Sequence, residues 1–265
     1  MIVPFCVLTV AGSDSGAGAG IQSDQRTIRA LGGHALTAVT AVTAQDTVRI
    51  TAWAPVPDEL IRAQVASALG GFRVAAAKTG LLPGAGAVRA VAAALAAQPG
   101  LPLVVDPVIA ASSGARFLPE PGVRELRRRL FPLAALVTPN WPEAALLTGL
   151  PVRSTAAARK AAQRLAADCG RPVLVKGGHA PRGRCRDCLA FPDGTTLWFE
   201  ALRVATPNTH GTGCVLSAAI AAWLGRGAAL PQAIRFGHAF LQRAIVRSRG
   251  LDWGRGHGPA FVGPR

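Results

Sequence analysis

Short, unbroken apolar runs that end in glycine or a polar residue, each followed by an alanine-rich amphipathic stretch, set the architecture open to this chain. Residues 6–10, 103–105, 135–138, 173–175 and 188–191 read as strands. Residues 20–31, 85–97, 121–130, 141–148, 155–168, 213–224 and 231–248 read as helices. This alternation predicts an α/β fold: a central, mostly parallel sheet flanked by helices on both faces. Strands that are apolar throughout suit a sheet buried on both sides. In such sheets ligands bind beyond the carboxyl ends of the strands, so the residues that close each run carry the functional argument. The Pro192-Asp193-Gly194-Thr195 turn lies between two short β runs and predicts a hairpin near the sheet edge. The Gly- and Pro-rich stretch from 250 to 265 predicts irregular structure.

The chain has 265 residues and 50% apolar content, which suits one domain spanning 1–265 with a sizeable core. No apolar run reaches the roughly 18 residues needed to cross a bilayer. The run from Ile2 to Val10 has no basic flank and no small-residue cleavage pattern, so it reads as a buried strand and predicts a cytoplasmic protein. Net charge is +15, carried almost wholly by dispersed arginines. The longest run, Arg127 to Arg129, falls on a predicted helix as a solvated face, so neither nucleic acid nor membrane is an expected partner. Five cysteines, an odd number, argue against a disulfide framework.

The strongest local signal is Asn208-Thr209-His210-Gly211-Thr212-Gly213-Cys214, running into an apolar helix. The opening amides of a helix have no internal partner, and its dipole adds positive charge. Glycines at 211 and 213 let that backbone approach a ligand, which gives an anion hole suited to a migrating phosphoryl group. Cys214 sits at the helix start, where its thiolate is favoured and a lowered pKa is expected, fit to take a hydroxyl proton. A capped helix with an inert cysteine is the plainer alternative. The segment Ala11 to Gly20 follows the first strand and matches neither a Walker loop nor the dinucleotide fingerprint. It reads as a loop that closes on a small ligand, or as a plain glycine-rich turn, with Asp24 on the first turn of the next helix.

Asp106 ends an apolar strand and is a hard oxygen ligand suited to Mg2+. Asn140 and Glu143 repeat that placement after the next strand, although helix capping explains them equally well. Lys176, one of three lysines, is delivered to the same edge before two glycines and suits a phosphate, with a surface strand-end lysine as the alternative. The donor and acceptor of Gln45 match an aminopyrimidine edge, as would ordinary loop polarity. The Cys185-Arg186-Asp187-Cys188 spacing has no second pair to complete a zinc site.

Taken together, Ala11–Gly20 with Gly20-Ile21-Gln22-Ser23-Asp24, Thr40–Thr47, Asp106-Pro107-Val108, Thr138-Pro139-Asn140, Lys176-Gly177-Gly178-His179, Asn208–Cys214 and Gly256-His257-Gly258-Pro259 resemble the hydroxymethylpyrimidine/phosphomethylpyrimidine kinases of thiamine biosynthesis, in order and over nearly the whole chain. The resemblance implies a ribokinase-like fold, a homodimer, and two ATP-dependent phosphorylations of 4-amino-5-hydroxymethyl-2-methylpyrimidine. It implies that Gly12, Asp24, Gln45 and Val108 line the pyrimidine site and that Asp106 and Glu143 serve Mg2+. It further implies ATP contacts from Lys176, Thr212 and Asn140, and an anion hole at Gly211–Cys214 with Cys214 as base. Departures are Leu81 where the family often has Met near the substrate, Ala111-Ser112-Ser113-Gly114 in place of a lysine-bearing segment, and the cysteines at 185 and 188. Two alternatives stay open: a vitamin B6 kinase on the same fold, whose substrate is also a flat heteroaromatic with a hydroxymethyl group, and, through Leu81, a kinase confined to the monophosphate step.

Overall fold

The computed structural model describes residues 5–110, 116–178 and 183–263. The head of the apolar run from Ile2, the segment Ala111-Ser112-Ser113-Gly114, and His179 lie outside them.

The chain opens with β1 (Cys6–Asp14), α1 (Gly20–Ala30), β2 (His34–Gln45) and β3 (Ile50–Pro55). It continues through α2 (Asp58–Gly71), β4 (Val74–Thr79), α3 (Ala85–Ala96), β5 (Leu103–Val105) and α4 (Glu120–Glu125). A π turn over Leu126–Leu130 and a short 3-10 turn extend α4 into β6 (Leu136–Val137). Then follow α5 (Trp141–Thr148), α6 (Thr155–Cys169), β7 (Val173–Val175), β8 (Cys185–Ala190), β9 (Thr196–Ala201), α7 (Thr212–Gly225) and α8 (Leu230–Arg247).

One nine-stranded sheet runs in the order β3-β2-β1-β4-β5-β6-β7-β8-β9. The pairs from β2 to β7 are parallel, whereas β3, β8 and their partners are antiparallel. Alternate side chains of each strand enter opposite layers. Leu8 and Val10 pack with Val88, Leu126 and Leu165 on the face covered by α2 to α6. Val7 packs with Ile28, Ile220 and Ile234 on the face covered by α1, α7 and α8. Both faces are thus sealed, and the predicted hairpin is β8–β9 at the edge.

Three strands and a helix escape the sequence reading. β2, β3 and β4 are rich in alanine, a weak strand former, and owe their conformation to pairing across the sheet. Helix α2 escapes too, although Ile61 and Val65 bury one face. β1 runs on to Asp14 because Ala11-Gly12-Ser13 continues its pairing with β2 through a register shift at 11–13. The arginines at 127–129 lie on the solvated π turn, where Arg128 and Arg129 pair with Glu125. Among the described residues no helix is long and apolar enough to cross a membrane.

Candidate active site

The order β2-β1-β4 reverses the direction of winding beside β1, and a cleft of about 600 Å3 opens at the carboxyl ends of the strands there. The start of α7 closes one wall. Gly211 caps that helix with φ +75°, and a Cβ there would fall 1.9 Å from the Gly18 carbonyl oxygen, so only glycine fits. Among the described residues, the amides of Gly211, Gly213 and Cys214 have no hydrogen-bond acceptor, whereas Val215 bonds back to Gly211. These amides, at the positive end of the α7 dipole, line the cleft.

The predicted polar residues gather round that point. Lys176 Nζ donates to Asp106 Oδ1 at 2.7 Å. A Cβ on Gly213 would meet this ammonium at 3.4 Å and Asp106 Oδ2 at 3.8 Å, so the cation lies beside the helix start. Ser217 Oγ, one turn further along α7, lies 3.2 Å from Asp106 Oδ2, with the Gly213 and Cys214 carbonyl oxygens also within reach of its single proton. The two readings of Asn140 and Glu143 turn out to be compatible. Asn140 Oδ1 accepts from the Glu143 amide at 2.9 Å and Glu143 Oε2 accepts from the Asn140 amide at 2.7 Å, a complete capping box. Both side chains also line the cleft. Burial pushes the Glu143 carboxyl up to about 7; Lys176 opposes this and Asp106 adds to it.

Gly12, Gln45, Leu81 and Val108 line the cleft, and Leu81 lies against Gly12. Asp24 does not reach it. Its side chain is wholly buried and accepts from Lys78 Nζ at 3.0 and 2.8 Å, and from the Thr9 hydroxyl. Burial raises its pKa against the pull of Lys78. Lys78 does line the cleft, so Asp24 reaches it through the ammonium it holds and through its charge.

The expected acidity of Cys214 is also corrected. Burial pushes its thiol up to about 11, with Lys78 opposing, Asp24 and Asp106 adding to the rise, and the Gly20 amide opposing weakly. Desolvation is the largest cause, and two carboxylates add to it. The thiol is therefore neutral at pH 7 in the free protein.

Cys185 and Cys188 stand three apart on β8, which sends them to opposite faces. Cys188 joins the core and Cys185 reaches the cleft. All five cysteines are free, and no cluster of three metal-ligating side chains occurs among the described residues.

Sequence reasoning assigned no role to Asp14, Lys78, His210 or Asp187. Asp14 accepts from the Gly16 and Ala19 amides at 2.8 Å each. Burial would raise its pKa, but bonds from His210, Ala19 and Gly16 hold it below the usual value. Asp187 Oδ1 accepts from the Gly177 amide at 2.6 Å, and its Oδ2 lies 3.0 Å from His238 Nε2. Asp14 was legible as an acid closing the first strand. Asp187 was masked by the more conspicuous cysteines beside it.

A family model for phosphomethylpyrimidine kinase matches residues 14–261. A hydroxymethylpyrimidine/phosphomethylpyrimidine kinase of Haemophilus influenzae is 40% identical over 256 residues, covering 96% of this chain and 94% of that protein. The solved Bacillus subtilis pyridoxal kinase, an ADP complex, superposes with TM-score 0.89 at 31% identity over 98% of both chains. A phosphomethylpyrimidine kinase structure from Clostridium difficile gives TM-score 0.79 at 29% identity, covering 91% of this chain and 99% of that one. Agreement of this extent, spanning the strand ends and the helix start alike, makes the chain a member of the phosphomethylpyrimidine kinase family.

Proposed function

We propose that this protein moves the terminal phosphoryl group of ATP to the hydroxymethyl oxygen of 4-amino-5-hydroxymethyl-2-methylpyrimidine, and then phosphorylates the monophosphate to the diphosphate, in thiamine biosynthesis. The observation that carries the reading is the group of unpaired amides at Gly211, Gly213 and Cys214, with Lys176 alongside. Phosphoryl transfer needs little covalent help; positioning and charge stabilisation are most of the catalysis. The amides would hold the equatorial oxygens, and Lys176 would balance phosphate charge. Thr212 and Asn140 contact the nucleotide in this reading, while Gly12, Gln45, Leu81 and Val108 hold the ring.

Asp106 and Glu143 fit a Mg2+ ion. They are two nearby carboxylates, and burial, with the charge of Asp106 adding to it, makes ionised Glu143 costly, a cost that a cation would offset. Mg2+ held there would supply neutralisation of phosphate charge. A cation there would also offset the Asp106 charge felt by Cys214; as a thiolate, Cys214 would take the hydroxyl proton while the alcohol oxygen bonds to phosphorus and the bond from phosphorus to the ADP oxygen breaks. We read residues 1–265 as one kinase domain, cytoplasmic and homodimeric, with no nucleic-acid or membrane partner.

A second reading, pyridoxal kinase, is favoured by the TM-score of 0.89 to the Bacillus enzyme. Side-by-side kcat/KM values for the pyrimidine alcohol, its monophosphate and pyridoxal decide between them. The proposal expects both pyrimidines to exceed pyridoxal. A higher value for pyridoxal overturns it, and turnover of the monophosphate alone confines it to the second step.

A further inference from the structure

One ring nitrogen of His210 faces two groups that make opposite demands on it. Nε2 lies 3.1 Å from Asp14 Oδ2 and 3.1 Å from the Gln45 side-chain amide. A neutral imidazole nitrogen either donates or accepts. If Nε2 carries no proton, its lone pair faces a carboxylate, which is repulsive. If it carries one, it donates to Asp14 and repels an amide NH2 in front of it.

Asp14 settles the choice. Two backbone amides, from Gly16 and Ala19, already bind its oxygens and keep it ionised. An ionised acceptor fixes the proton on Nε2. Gln45 must then answer with its oxygen, which a half-turn of the amide about its last bond achieves. That turn carries the NH2 toward Thr43 Oγ1, 3.5 Å from the amide atom on that side. Thr43 Oγ1 is able to accept there because its own proton goes to the Ser13 carbonyl oxygen at 3.1 Å. The Nε2 proton is then shared by Asp14 and the Gln45 oxygen, and every group in the chain His210, Gln45, Thr43, Ser13 has a matched partner.

We propose that His210, locked as the Nε2–H tautomer by Asp14, is a positioning residue that orders the donor and acceptor of Gln45 and so selects the edge and orientation of the substrate ring. The inference rests on the aminopyrimidine reading of the cleft. Gln45 then shows the ring an acceptor on the His210 side and a donor on the Thr43 side. A 4-aminopyrimidine edge fits in one sense only, with the amine toward His210 and ring N3 toward Thr43. The hydroxymethyl carbon is bonded next to the amine-bearing carbon, on the side away from N3. It is therefore sent toward His210 and on to the adjoining amides of Gly211, Gly213 and Cys214. One lock thus sets both ring identity and delivery of the reacting oxygen.

The lock is also steric. A Cβ on Gly18 would fall 2.2 Å from His210 Cδ2, so the loop after β1 closes directly over the imidazole. That contact leaves the ring little room to swing away from Asp14.

The test compares the natural 4-amino substrate with its 4-oxo analogue, which presents a carbonyl in place of the amine and an N–H at N3. The wild-type enzyme is expected to favour the amine by ~100-fold or more in kcat/KM, because the reversed pattern leaves buried groups unpaired. His210→Phe keeps a flat ring under Gly18 but frees the Gln45 amide to turn. The preference is expected to fall to within ~10-fold, with the oxo compound losing less than the amine. An equal loss for both substrates, or no preference in the wild type, overturns the proposal while the kinase reading stands. If the wild type phosphorylates neither pyrimidine, the substrate reading itself falls and the proposal with it. Long-range 1H–15N NMR of the free wild-type protein needs neither variant nor substrate. A pyrrole-type Nε2 on His210 supports the lock, and a pyridine-type Nε2 overturns it.

Discussion

Replacing Glu143 by Gln should make the protein more stable while removing most of its activity. Glu143 is buried, and its carboxyl titrates near 7, against an ordinary value of 4.5. Between those values the unfolded chain releases a proton that the folded chain retains, so stability falls as pH rises through that window and levels off above about 7. At ~1.36 kcal/mol per pH unit the full span is worth ~3 kcal/mol. Relaxation and water entry reduce the expected gain for the variant to ~1–2 kcal/mol. A Gln at this position still accepts from the Asn140 amide, so the cap of α5 survives. Urea unfolding at pH 5 and pH 8, without divalent cations, reads the effect. The variant should match the wild type near pH 5 and exceed it at pH 8, while kcat falls ~100-fold or more with the lost carboxylate. Equal or lower stability of the variant at pH 8 would refute the claim that Glu143 is held as a costly anion for use by a cation.

Three further outcomes follow from the same geometry. Iodoacetamide labelling of Cys214 in the free protein, followed by peptide mass spectrometry, should quicken ~tenfold per pH unit from 7 to 10, consistent with a thiol near 11; a plateau near pH 7 refutes this. Lys78→Met should cost ~3–5 kcal/mol by stranding Asp24, and adding Asp24→Asn should recover more than half of it in urea unfolding; no recovery means the pair is not the cause. Gly18→Ala, whose methyl would fall 2.2 Å from His210 Cδ2, should cut kcat/KM at least ~10-fold with the thermal midpoint lowered only slightly; unchanged kinetics would show that this contact is slack.

The sequence foretold the parts of the fold that local chemistry dictates. Helix α5 lies where its signals put it, because Asn140 and Glu143 cap its start and Gly149 ends it in the left-handed region. β5 and β7 are apolar on both faces and stop where Asp106 and Lys176 begin. β2 and β4 were lost because the alanines among their Thr and Val residues dilute the strand signal until neighbouring strands pair with them. The same divide runs through the site. The anion hole is a local consequence of glycines before an apolar helix. The burial of Asp24 depends on Lys78, 54 positions away, and the raised thiol of Cys214 depends on burial by the assembled fold, with Asp24 and Asp106 adding to it. No local pattern announces such distant partners.

The central claim is that the amides opening α7 hold the migrating phosphoryl group. A crystal structure with the pyrimidine alcohol, ADP, Mg2+ and aluminium fluoride tests it most directly. The account predicts the fluoride ligands within ~3.1 Å of the Gly211, Gly213 and Cys214 amides, with the Cys214 sulfur beside the alcohol oxygen. An aluminium fluoride group bound elsewhere, with those amides facing only solvent, would contradict it.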